Sequence, residues 1–341
     1  MAIPARAATN MISKHIEELL EDLVHALQVP ESRYEAAERS YHSVGSWLQR
    51  NGSHVQTANP QVYIQGSFQL GTVIRPISED EEYDVDLVCE LSLSKAQLTQ
   101  AQVKEALGLE LRAYAERFGM ERPKEGRRCW TLNYADSAKF HLDTLAAIPD
   151  GPRQRLLLQR LGRPTIWAAT ALAVTDRENS GFYQITDDWP HSNPKGFADW
   201  FRSCMAAVFD ARRRRMAMEA RASVEAIPEY KVLTPLQSAI QILKRHRDVM
   251  FVGRSNEKPI SIILTTLAAQ AYQQETTIAD ALYGILGRMD QFILSKDGVT
   301  WVPNPTDLAE NFADRWRKHP ERERAFCEWL DQARQDFDAV A

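Results

Sequence analysis

The chain has 341 residues, 44% of them hydrophobic and 26% charged, which suits one large domain or two lobes with a sizeable core. Its formal net charge is −5, so it lacks the basic excess by which proteins hold a long nucleic acid, and no stable nucleic-acid polymer is expected as a partner. Small anions such as ATP need only a local basic pocket, and remain compatible with the charge.

In chain order, residues 11–28 read as an amphipathic helix, with Ile12, Ile16, Leu19, Leu20, Leu23 and Leu27 at helical spacing. A second helix is predicted over 31–49. A short strand, 62–65, feeds the turn Gly66-Ser67, and a short helix is expected over 68–73. Residues 83–91 alternate as a strand, 94–118 read as a long helix, and 128–134 and 139–147 as two further strands broken near Asp136-Ser137. Residues 165–175 suggest one more strand. Residues 176–196 form a loop-rich connection, and from there the pattern is helical to the end. Thr234-Pro235-Leu236-Gln237 marks one start, with an N-cap Thr, Pro at the first helical position and Gln at the third. Further helices are expected over 259–273, 278–294 and 306–339.

This order predicts an α+β fold: a mixed-sheet catalytic lobe with its N-terminal helix over residues 1–175, then a connecting loop and helical lobe over 176–341. The N-terminus is not a secretory signal and no stretch is apolar enough to span a membrane, so a cytoplasmic location without membrane partners is expected. Cys89, Cys129, Cys204 and Cys327 are far apart and form no CxxC pair. They read as reduced thiols and exclude a zinc ribbon.

Three segments carry chemistry: Gly66-Ser67, Tyr83-Asp84-Val85-Asp86-Leu87 and His141-Leu142-Asp143-Thr144. On a strand, residues two apart face the same way, so Asp84 and Asp86 present two carboxylates to one side. Such a pair is costly unless cations lie between. Oxygen ligands suit Mg²⁺ or Mn²⁺, and Asp143, on a neighbouring strand, completes a candidate two-metal catalytic site. A small-residue turn such as Gly66-Ser67 offers backbone N–H groups to phosphate oxygens.

The segments Gln65-Gly66-Ser67, Asp84-Val85-Asp86 and Leu142-Asp143 together resemble the signature of the polymerase-β nucleotidyltransferase superfamily. Within it the chain resembles the bacterial CD-NTases, the cyclic-oligonucleotide synthases of CBASS anti-phage defence. The likeness extends to the helix 236–247, to residues 259–269, and to the stretch from Asn304-Pro305 to Asn311-Phe312-Ala313-Asp314. The interval between Ser67 and Asp84 is longer than in many superfamily members; the acidic loop 78–82 accounts for it.

The resemblance implies that Asp84, Asp86 and Asp143 bind the metals, and that Asp143 helps deprotonate the acceptor hydroxyl. It implies that Gln65, Gly66 and Ser67 hold the donor triphosphate, with Lys244 and Ser261 at the outer phosphates. Outside the family pattern, Lys244 reads as an exposed lysine of the run 244–247, and Ser261 as a helix cap after Pro259. The implied substrates are NTPs, chiefly ATP, and the implied product a cyclic di- or trinucleotide. A regulatory or effector protein of the same defence system is the implied partner. The competing readings are a linear-chain or RNA-tailing nucleotidyltransferase and a nucleotide-binding regulator without turnover. The run Arg212–Arg215 reads as a solvated helix face. The stretch 189–200 reads as packing or cleft lining, and 311–314 as an approach to the base.

Overall fold

The protein is described here by a computed structural model, in which residues 5–78, 82–134, 140–221, 223–227 and 229–339 are described. The break expected near Asp136-Ser137, and residues 79–81 of the acidic loop, lie outside them. In chain order the elements begin with α1 (Ala5–Leu27), α2 (Glu31–Gln49), β1 (Gln61–Ile64), α3 (Gly66–Leu70), β2 (Tyr83–Glu90) and α4 (Gln100–Arg117). There follow β3 (Lys124–Glu125), β4 (Cys129–Asn133), β5 (Phe140–Pro149), α5 (Gly151–Arg160), β6 (Leu172–Val174) and β7 (His191–Ser192). Then come α6 (Pro194–Glu219), α7 (Pro235–Met250), α8 (Ser261–Ala271) and α9 (Ile278–Arg288). The chain ends with β8 (Leu294–Lys296), β9 (Val299–Trp301), β10 (Pro303–Asn304), β11 (Asp307–Asn311) and α10 (Pro320–Asp338). The fold is α+β, as expected.

The chain divides into two compact units. One is the α/β unit, Val29–Leu70 with Ser78–Ala198; the other is helical and takes residues up to Gln28, Gly71–Ile77 and everything from Asp199. The division differs from the expected boundary at 175 in two ways: residues 176–198, whose β7 pairs with β6, stay with the α/β unit, and α1 packs on α7 and α9 and belongs to the helical unit. Two features hold it there. Leu20, Val24 and Leu27 are buried, and both carboxylate oxygens of Glu17 accept the first backbone N–H groups of α9, from Ile278 at 2.7 Å and Ala279 at 2.9 Å. An anion there satisfies orphan donors and complements the helix dipole.

In the α/β unit the sheet runs β1-β2-β5-β4-β3, with β6 also on β5 and β7 on β6. Only β2 and β5 are paired in parallel; the other pairs are antiparallel. Each central strand buries Val85, Leu87 and Cys89, or Leu142, Thr144 and Ala146, on one side, against which α4 packs. The opposite face changes character along its length. At one end Val88, Leu145 and Ala147 join Leu172 and Val174 in an apolar cluster. At the other it carries Asp84, Asp86, His141 and Asp143.

Several predicted elements were placed differently. The long helix starts at Gln100 rather than 94, because Thr99 and Gln102 form a capping box. Helix α5 was not anticipated, although Pro152 and the leucines 156–158 announce it. The C-terminal region is not wholly helical. β8 and β9 form a hairpin whose turn residues Asp297 and Gly298 both have positive φ, 52° and 73°, the Asp-Gly signal of a tight hairpin. Pro320 starts α10, and β11 and a short 3-10 turn at Asp314–Arg317 occupy the span read as helix from 306. The Arg212–Arg215 run is not a solvated face throughout. Arg212 donates to the carbonyls of Leu233 and Thr276, and Arg213 to that of Ile227.

Asp176, directly after β6, is buried and locks that strand to the β3–β4 turn. Arg127 donates to both its carboxylate oxygens at 2.7 Å, and Arg128 to one at 2.9 Å. Burial alone would raise its carboxyl, but the two guanidinium groups and the Glu178 N–H hold it at about 2. A carboxyl lower in the folded than the unfolded state stabilises the fold above the ordinary carboxylate range, and loses that contribution as pH falls toward about 2. Asp176→Asn is therefore expected to lower stability by about 1–3 kcal/mol at neutral pH. The gap to wild type should shrink in urea melts repeated in increasingly acid buffer. A gap independent of pH would remove the ion-pair explanation.

Candidate active site

Strand register builds the acidic cluster. β2 and β5 pair Asp84 with His141 and Asp86 with Asp143, while β4 sets Thr131 opposite Asp143. All five side chains share one face by strand alternation. Asp84 is exposed; Asp86, His141 and Asp143 are half-buried. One ligand atom each from Asp84, His141 and Asp143 lies within 4.8 Å of the others. His141 Nε2 is 3.4 Å from Asp84 Oδ1, and its Nδ1 is 3.5 Å from Glu82 Oε2. The Thr131 hydroxyl donates to Asp143 Oδ1.

The electrostatics follow from this crowding. Burial pushes the Asp143 carboxyl above its usual range and the Asp84 charge adds to the rise, while the Thr131 hydroxyl opposes it. His141 is drawn toward its protonated form, chiefly by its hydrogen bond to Asp84. Cys129 is pushed up to about 12 by burial and by the charges of Asp143, Asp86 and Asp84. Without a metal ion beside it, that thiol stays protonated at neutral pH. The cluster thus concentrates negative charge that His141 offsets only in part. Its oxygen-rich donor set fits a hard divalent ion, and the carboxylates Asp84, Asp86 and Asp143 are the residues that would hold one.

The Gly66 turn is joined to the same strand. The Gln65 N–H donates to the Asp86 carbonyl at 2.8 Å. Gly66 has φ +67°, and a Cβ there would stand 2.5 Å from Asp86 Oδ2. Glycine is required twice over, for its backbone and for the carboxylate lying against it. Ser67 is half-buried in the short helix α3, which spans Gly66–Leu70 instead of the expected 68–73 and ends at Gly71, φ +64°.

The α/β unit therefore brings together Asp84, Asp86, Asp143, Gln65, Gly66 and Ser67, whereas Lys244 and Ser261 belong to the helical unit. Lys244 is not an exposed lysine: it is 4% exposed. Its Nζ donates to Thr72 O at 2.9 Å and Thr72 Oγ1 at 3.2 Å. Gln241, one turn earlier on α7, donates to the carbonyls of Gly71 and Val73. Ser261 does not cap its helix. Ile260 is the N-cap residue, and the Ser261 hydroxyl accepts from Arg247 at 2.9 Å. Asn311 is committed to its own turn, accepting from Val302 N and Ala313 N and donating to Thr300 O. Trp189 is buried in the α/β unit.

Comparison with known proteins agrees with this geometry. The family described as cyclic GMP-AMP synthase DncV-like, nucleotidyltransferase domain, matches residues 60–146, the span from β1 through most of β5. A c-di-GMP synthase of Roseivirga ehrenbergii is 26% identical over 331 residues, covering 96% of this chain and 80% of that protein. The cyclic dinucleotide synthase CdnG of Bradyrhizobium diazoefficiens is 24% identical over 318 residues, 88% of this chain and 70% of that one. The chain is thus similar to a bacterial CD-NTase over nearly its whole length, and to the DncV-like nucleotidyltransferase domain over residues 60–146. The solved structure of the Bradyrhizobium CD-NTase CdnG in complex with GTP superposes with a TM-score of 0.72 at 21% identity, covering 95% of this chain and 92% of CdnG. The CdnC:HORMA-deltaN complex of E. coli MS115-1 shares the fold at a TM-score of 0.61 and 14% identity, covering 96% and 90%.

Sequence reasoning named the three carboxylates and the glycine turn, but gave no role to His141 or Thr131. His141 was within reach, because it stands two residues before Asp143 on the same strand. Thr131 was not, since only the β4–β5 register places it. Gly66→Ala should abolish nucleotide joining, while Gly52→Ala, also at positive φ (+86°) but with open space around it, should cost stability alone. Turnover and melting temperature measured on both variants check this. Activity retained in Gly66→Ala would separate the turn from the site.

Proposed function

We propose that this protein is a CD-NTase that joins purine nucleoside triphosphates into a cyclic dinucleotide without a template, as a second messenger of anti-phage defence. The observation that carries the reading is the register pairing of Asp86 with Asp143, beside Asp84 and over Gly66. Mg²⁺ or Mn²⁺ bound by those carboxylates would activate the attacking hydroxyl and neutralise charge on the leaving pyrophosphate. The chain's own groups prepare the site. Thr131 holds the Asp143 carboxylate in orientation, Gly66 lets the phosphate turn approach Asp86, and Gln65 ties that turn to β2. Gln65, Gly66 and Ser67 would hold the triphosphate, with Lys244 and Ser261 toward its outer phosphates. For Lys244 the support is its hold on Thr72, which follows Ser67 by five positions in the chain.

The expectation from sequence was a product made chiefly from ATP. The relatives called c-di-GMP synthase and CdnG, the latter solved with GTP, favour guanine. We therefore place GTP among the substrates, with ATP as the other purine. A protein regulator or effector of the same system is proposed as partner; CdnC, solved with a HORMA protein, is a precedent of fold. The tailing alternative is disfavoured by the net charge of −5, and the regulator without turnover by three intact carboxylates.

The test is to incubate the protein with ATP, GTP and their mixture, with Mg²⁺ or Mn²⁺, and to identify phosphatase-resistant products by mass. Asp84→Asn/Asp86→Asn should make no product yet unfold cooperatively. Linear tails on added RNA as the sole product would replace cyclisation by tailing, and wild-type turnover in the double variant would remove the metal assignment.

Binding of the donor can be read without chemistry by titrating GTP and ATP in Ca²⁺. Ser67→Ala and Lys244→Met should each weaken it by roughly 1.5–3 kcal/mol, about 10- to 150-fold. Unchanged affinity in Lys244→Met, whatever its melting temperature, would leave that residue a purely structural support of Thr72.

A further inference from the structure

In a chain with more carboxylates than cations, α5 and the segment after it stand apart. Residues 151–175 contain four arginines and no Asp or Glu. Arg153 pairs with Asp187 at 3.2 Å. Arg155, Arg160 and Arg163 are exposed, and among the described residues none of their side chains has an ion-pair or hydrogen-bond partner. Leu156, Leu161 and Ile166, between and beyond them, are 56%, 52% and 76% exposed. Arg155 and Arg160 are five apart and so diverge by about 140° around the helix, and Leu161, Arg163 and Ile166 follow its end. Single exposed leucines are ordinary, but a broad patch of apolar residues among unpaired cations marks a surface for contact.

Helix α1 carries the complement. Leu19 and Leu23 are 50% and 38% exposed, one turn apart. Glu18 and Asp22, also one turn apart, lie beside them, with Glu21 exposed nearby. Residues four apart share a helix face, so this is an acidic stripe along an apolar one. Among the described residues Glu18 has only the exposed Lys14 as ion-pair partner, at 3.5 Å, a pair worth little in water.

We propose that the basic apolar patch of α5 and the segment after it docks on the acidic apolar face of α1 in a second copy of this chain. Leu19 and Leu23 would pack against the exposed apolar residues of that patch, and Glu18 and Asp22 would face its unpaired arginines. The two faces differ, so the contact is head to tail, and it either closes into a ring or extends into a filament. Charge complementarity supplies steering and register, and the apolar residues the burial. Because the ion pairs are at a surface, association weakens as salt shortens the screening length.

The test measures mass by sedimentation or light scattering across chain concentration, in low and high salt. Wild type should associate in low salt and return toward one chain in high salt. Arg155→Glu/Arg160→Glu and Glu18→Arg/Asp22→Arg should each weaken self-association by about tenfold or more, with helix content unchanged by circular dichroism. An equimolar mixture of the two variants should associate again, because every α1–α5 contact between unlike variants restores opposite charges. A monomer under all conditions overturns the proposal. So does association indifferent to both variants, or loss that mixing does not restore. Capture of wild type, but not Arg155→Glu/Arg160→Glu, by anionic vesicles or RNA without self-association would assign the patch to a polyanion instead, and likewise overturn it.

Discussion

Like charge held at short range is the constraint on which the α/β unit depends. A parallel pair of strands sets Asp86 beside Asp143 and Asp84 beside His141, an arrangement that repels itself in the absence of cations. The strands can bear it because the same strands are otherwise mostly apolar and buried. Val85, Leu87, Leu142 and Ala146 are fully or almost fully buried on one face, and Val88, Leu145 and Ala147 extend the core on the other. Strand packing thus holds the carboxylates where their own electrostatics would disperse them. The sheet stores that unfavourable interaction at one end only, where a divalent ion would relieve it.

Smaller adjustments follow from the same constraint. Gly66 lies so close to Asp86 that no side chain fits. Thr131 contributes a hydroxyl proton to Asp143, and His141 a partial counter-charge to Asp84. Each is a neutral or weakly basic group that moderates the cluster without filling it with a permanent cation. An arginine or lysine in place of Thr131 or His141 would compete with a metal ion for the carboxylates.

The helical unit solves a different problem with buried polar groups. Gln241 and Lys244 are nearly inaccessible on α7, yet each donates to the backbone of residues 71–73, which satisfies an otherwise irregular segment. Arg247 does the same for Pro259 O and the hydroxyl of Ser261. A buried ammonium with backbone partners is held in one place. The lysine that the family pattern assigns to phosphate is therefore also a structural element, and the two roles can coexist on one side chain.

Local rules were legible in the sequence wherever a residue's consequence stays within a turn or two. The period-two pattern of β2 put Asp84 and Asp86 on one side, the Thr234 capping box started α7, and hydrophobic spacing delimited α2. The Asp297-Gly298 hairpin was equally local and was overshadowed by the helical composition around it, and the Asp150-Gly151-Pro152 helix start by the strands read on either side of it. What depends on chains meeting was not legible. Thr131 reaches Asp143 only through the β4–β5 register, and Lys244 is buried only because Gly71–Ile77 runs past α7. α1 joins the helical unit because Glu17 caps a helix that begins 261 residues later. The sequence alone determined which side chains could bind metal and phosphate, since that follows from residue type and strand or helix period. Tertiary structure alone decided which of them share a surface and which are spent on backbone partners, because burial and register are set by contacts between segments remote in the chain.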